Sequence, residues 1–151
     1  MQGIKQTRGR SREWSLVDAA MAARALDAAT PLIEKAMRDR AHGDSGFLHV
    51  VVMDPARGPG DCPFEQAILR ERSFGGARAT WDADYAGFAR AKAESAWRSG
   101  RDDPRGAVCV DGIVVGASGA FEPFDQAYSG AVAMWLRALA RHGDPVEGGE
   151  A

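Results

Sequence analysis

The chain has 151 residues, 45% of them hydrophobic and 26% charged, with a formal net charge of −2. That is one domain's worth of sequence with enough apolar residues for a real core. The charge gives no global attraction to nucleic acid or anionic membrane, and no apolar run approaches the ~18 residues of a membrane span.

The first residues, Met1–Glu13, carry Lys5, Arg8, Arg10 and Arg12 without interleaved aromatics. Residues 1–14 read as a flexible, solvated N-terminus rather than a nucleic-acid arm. No apolar h-region follows them, so they are not read as a signal peptide and the expected location is the cytoplasm. Ser15 opens the first helix as N-cap, with Asp18 at N3. Leu16, Ala19, Ala20, Ala23, Leu26 and Ala29 mark its apolar stripe. Pro31 either starts a second helix running to about Ala41, with Thr30 as cap, or kinks a single one. Gly43 and Gly46 bracket the exit turn.

Phe47–Met53 predicts a strand. His49 shares a side with Phe47, Val51 and Met53, while Leu48, Val50 and Val52 take the other. With both sides apolar, the strand should be central in its sheet. The insert Pro55–Pro63 cannot continue it and forms a long loop of open role. Phe64–Phe74 predicts a second, more exposed strand closed by Gly75-Gly76. Asp82 should N-cap the next helix, assisted by Asp84. Tyr85, Phe88, Ala89, Ala93, Ala96 and Trp97 form its buried stripe, and Gly100 its C-terminal stop.

The strongest local signal is Ala107–Val110 and Ile113–Val115 joined by Asp111-Gly112, a two-residue hairpin. A run of small residues, Gly116–Ala120, leads to a helix opened by Pro123. Phe124, Ala127, Tyr128, Ala131, Val132, Trp135, Leu136 and Leu139 fall on one helical face. Residues 142–151 are polar and glycine-rich and read as a flexible tail. Residues 15–141 therefore make one α+β domain on a mainly antiparallel sheet.

Three stretches in this order resemble the HbpS/GlcG family, which includes the C-terminal domain of PduO. They are Leu48–Asp54, Lys92-Ala93-Glu94-Ser95-Ala96, and Val110–Gly119 with Asp125 in the helix that follows. The resemblance covers roughly Ser15 to Ala140. It implies a profilin-like fold, with helices packed on a central antiparallel sheet of four to five strands. It also implies homo-oligomers, with roles ranging from haem binding to accessory functions in small-molecule catabolism. The chain departs from the family pattern at the Pro55–Pro63 insert and at Arg70–Ala77.

The candidate chemistry is sparse. His49 is the one histidine on a rigid element, and His42 and His142 lie near helix ends. His49 or Asp125 could transfer a proton; the catalytic assignment stays open. Arg70, Arg72 and Lys92 would hold a carboxylate or phosphate if they converge. Ser118 and Gly119 would present backbone N–H groups to a ligand before a helix start. Cys62 and Cys109 form no C-x-x-C pair, and the histidines have no metal-ligand spacing, so no metal is expected. The cofactor stays open; haem is not favoured, because no matching ligand position is present. The leading expectation is a non-enzymatic, oligomeric small-molecule- or cofactor-binding accessory module. The alternatives are an enzyme acting on a small oxo- or carboxylic acid through the Arg/Lys pocket, and a structural interaction subunit. Trp14, Trp81, Trp97 and Trp135 supply the apolar load that makes a homo-oligomer the expected state.

Overall fold

The computed structural model describes Trp14 and residues 16–143. The proposed cap Ser15, the basic N-terminus and the tail beyond Gly143 lie outside the described residues.

The elements are α1 (Ala19–Met37), β1 (Leu48–Met53), β2 (Ile68–Phe74), α2 (Tyr85–Ser99), β3 (Ala107–Val110), β4 (Ile113–Ser118) and α3 (Glu122–His142). Four antiparallel strands form one sheet in the order β2-β1-β4-β3. β1 is central, as its two apolar sides require, and it separates two cores. Leu48, Val50 and Val52 point into the larger one with Ile113, Val115, α1 and α3. Val51 and Met53 point into the smaller one with Val114 and the Ala89, Ala93, Ala96 and Trp97 face of α2. The protein is thus α+β, with two helices on one side of the sheet and one on the other.

α1 is a single helix running through Pro31. The ring removes one helix hydrogen bond, but Ala25, Leu26 and Ala29 before it and Ile33 after it pack into the same core. Thr30 is no cap; its hydroxyl donates to the Leu26 carbonyl within the helix. The buried stripe is Met21, Ala22, Ala25, Leu26, Ala29 and Ile33. The expected stripe is rotated relative to it, because the larger Met21 and Ile33 gain more from burial than the alanines around them. Leu16 precedes the helix and is exposed. Asp18 itself is the N-cap, accepting from the Met21 N–H at 2.9 Å. Asp18→Ala should therefore lower stability by about 1 kcal/mol, measurable as a shift in urea midpoint with unchanged slope.

Other boundaries shift for equally local reasons. The second strand begins at Ile68, since Phe64–Ala67 forms a 3₁₀ turn that tucks Phe64 and Ala67 into the smaller core. Asp84, not Asp82, caps α2 by accepting from Gly87 N–H, and Asp82 accepts from the Tyr85 hydroxyl. Phe88, Ala127 and Trp135 face outward, contrary to the expected stripes. On α3 the core-facing positions are Asp125, Tyr128, Ser129, Val132, Ala133, Leu136 and Ala140. The packed domain includes Trp14, which is buried and donates its indole N–H to the Asp111 carbonyl. In the hairpin, Asp111 and Gly112 both have positive φ, 52° and 86°, as a type I′ turn demands.

Candidate functional site

The sheet divides the three expected cations. Arg72 is opposite Val50 and Arg70 opposite Val52, so both arginines lie on the α1 and α3 side. Arg72 binds Asp27 at 2.7 Å, and Arg70 is exposed. Lys92 projects from α2 on the other side, so the Arg70/Arg72/Lys92 pocket does not form. Alternation along β2 determines this, because positions 70 and 72 share a side that Lys92 cannot reach.

Lys92, Ser118 and Asp125 do come together. The Lys92 ammonium donates to Ser118 Oγ and to Asp125 Oδ2, each at 3.2 Å. Asp125 Oδ1 accepts from the Ala120 N–H at 2.8 Å. Asp125 is 1% exposed, and Lys92 and Ser118 are buried with it. Burial pushes the Asp125 carboxyl up to about 6, against the Ala120 N–H and the Lys92 charge, which favour ionisation. Gly119 adjoins the cluster and turns the chain from β4 toward α3, its φ being +143°. With both partners buried, the pair clamps α2 to the start of α3.

His49 is buried, and both of its ring nitrogens are engaged. Nε2 lies 2.8 Å from Glu71 Oε1 and Nδ1 lies 2.8 Å from Ser73 Oγ. Glu71 in turn accepts a two-pronged pair from Arg90, at 2.8 Å through Nε and 2.8 Å through Nη2. Burial would raise the Glu71 carboxyl, but the bonds from Arg90 and His49 outweigh it and hold it below the usual range. Burial lowers the His49 pKa from its ordinary 6.5, outweighing the pull of Glu71. The ring is therefore neutral at pH 7, with its proton on the Nε2 that faces Glu71. Axial ligation of haem iron would require one of these two bonds to break. Trp81 packs edge-on against His49 at 5.9 Å between ring centroids.

Sequence reading missed Glu71, Ser73 and Arg90 as partners of His49. The signal was present as parity: Glu71 and Ser73 alternate along one strand, on the side opposite Arg70 and Arg72. It becomes legible only once the register His49↔Ser73 is known.

A cleft of about 380 Å³ lies at the far end of α2. The loop 54–61 makes one wall, the end of α2 another, and the β3–β4 hairpin the floor. Trp97 anchors the loop, its indole N–H donating to the Arg57 carbonyl at 2.9 Å. The insert after β1 is therefore a built wall. Its Asp54 and Asp61 side chains accept from the Ala56 and Gly58 N–H groups, which shapes the loop from within. Arg98 stands over the Trp97 ring at 5.3 Å at the rim, and Cys109 lines the floor. The volume lies within the ~300–1,000 Å³ of small-molecule sites.

Among the described residues no group of three or more His, Cys, Asp or Glu side chains is arranged to hold a metal ion. None of their helices is long and apolar enough to cross a membrane. No protein-family model matches the chain, and no match is found among curated proteins or among solved structures.

Proposed function

We propose that this protein is a small-molecule-binding accessory module of the HbpS/GlcG kind, working as a homo-oligomer. The observation that carries this reading is the cleft between the 54–61 loop and Trp97. Its polar walls, with Asp54, Asp61, Arg57 and Arg98 beside one buried indole, suit a small polar molecule with an apolar portion. Met134 and Trp135, exposed on the outer side of α3, supply apolar surface for self-association. The same reading places the protein in the cytoplasm, where the half-buried thiols of Cys62 and Cys109 stay reduced. The alternative enzyme acting on a small oxo- or carboxylic acid loses its expected cationic pocket, since the sheet stands between Lys92 and the two arginines.

Native mass spectrometry of freshly purified protein reads ligand and assembly together. The expected spectrum shows a co-purified small molecule on a multimer. Gly60→Trp tests the site itself, because a Cβ at Gly60 meets nothing within 4 Å, so the fold should tolerate the indole while the cleft fills. The variant should keep its melting temperature and lose the bound mass. A multimer that carries no ligand in either protein would favour the structural interaction subunit. A ligand retained in Gly60→Trp would move the site elsewhere.

A further inference from the structure

The His49 cluster lies at the opposite end of α2 from the cleft and plays no part in the binding reading. Glu71 is held ionised by Arg90 and accepts a hydrogen bond from His49 Nε2–H. The other ring nitrogen, Nδ1, is thereby left as an acceptor, and the Ser73 hydroxyl donates to it at 2.8 Å. A hydroxyl on a neutral imidazole that is itself oriented by a carboxylate is the arrangement that activates a nucleophile.

Two further observations point to a ligand here. Trp81 Nε1 is a buried donor with no acceptor among the described residues, although its ring packs against His49. Leaving such a group unpaired costs free energy, and a substrate carbonyl oxygen would supply the acceptor. Ser73 is only half-buried and sits on the edge strand of the sheet, and the segment 75–80 that follows is exposed throughout. A small molecule can therefore approach it from the edge.

We propose that Ser73 is a base-activated hydroxyl, a nucleophile toward small activated esters, with His49 as its base and Glu71 as the group that orients the base. Ser73 Oγ attacks the ester carbonyl carbon while its proton passes to His49 Nδ1. The carbon–alkoxide bond then breaks, and the alkoxide leaves with that proton. Water repeats the sequence on the acyl-serine, giving up a proton through His49, releasing the acid and restoring the hydroxyl.

A fluorophosphonate probe tests the first half directly, since Ser73 Oγ would displace fluoride and form a stable Ser–O–P bond. Intact mass and peptide mapping should show one adduct on Ser73 and none in Ser73→Ala. His49→Gln should slow labelling at least a hundredfold, and Gly60→Trp should leave it unchanged, which separates this site from the cleft. The wild-type protein supplies a readout that needs no variant to fold. Glu71, Arg78 and Arg90 are the charged groups that act on the ring, and burial together with the two arginines holds His49 below its ordinary 6.5. The labelling rate should therefore be flat above pH 7 and fall only below that value. The proposal is overturned by absence of a Ser73 adduct under conditions that fully label an ordinary serine hydrolase. A rate that climbs tenfold per pH unit with hydroxide overturns it too, as does an unchanged rate in a cooperatively folding His49→Gln.

Discussion

Gly119→Ala should destabilise the protein by about 3 kcal/mol or more, through strain and overlap at one position. The backbone there has φ of +143°, and a Cβ would run into the Phe47 carbonyl oxygen and stand 2.8 Å from Leu48 Cα. Those neighbours are backbone atoms of the segment entering the central strand, so no side-chain rotation relieves the overlap. The Gly119 carbonyl also accepts from Ser45 Oγ at 2.6 Å, and the shift needed to admit a methyl would loosen that bond as well. For a domain of this size the expected fall in melting temperature is about 10 °C. Gly60→Ala, in open space, serves as the control for a glycine-to-alanine change alone. Equal melting temperatures for the two variants would show that the β4–α3 turn yields more easily than its geometry states.

Lys92→Met should cost about 3 kcal/mol at pH 7.5, because it leaves the Asp125 carboxylate buried without its counter-charge. The sign of the pH dependence follows from the direction of the shift. Asp125 is raised in the folded protein, to about 6, above its unfolded value near ~3.9. Its contribution to stability is therefore fully present below the unfolded value and is lost as pH rises through about 6. Removing Lys92 raises the folded value further and extends the loss to higher pH. The variant should accordingly approach wild-type stability at pH 5 and fall well short of it at pH 7.5. Urea unfolding at the two pH values checks this. Adding Asp125→Asn to Lys92→Met should recover more than half of the loss, because a neutral amide oxygen can still accept from the Ala120 N–H. A penalty that is the same at both pH values, or no recovery in the double variant, would show that Lys92 acts through packing of its stem rather than through charge.

Local chemistry alone determined much of this fold. The Asp111-Gly112 hairpin, the two-sided apolar strand expected at Phe47–Met53 and the stop at Gly100 are each set by residues a few positions apart, and each stands in the structure, the strand starting one residue later at Leu48. The α+β class follows from the order of such elements. What the sequence left open is everything that depends on which side of the sheet a residue faces relative to a distant partner. Arg70, Arg72 and Lys92 look alike along the chain, but strand parity sends the two arginines to one side while α2 packs on the other. The same parity unites His49 with Glu71 and Ser73, a grouping that exists only through the β1–β2 register. The alanine-rich stripe of α1 lies rotated from its expected position for a related reason. A methyl group has little preference between core and solvent, so the larger Met21 and Ile33 choose the buried side. Asp125 was legible as a first-turn acid, but its burial against Lys92 was not. That pairing requires α2 and α3 to lie on opposite sides of the sheet and meet at its end, where only the folded chain brings the two charges together.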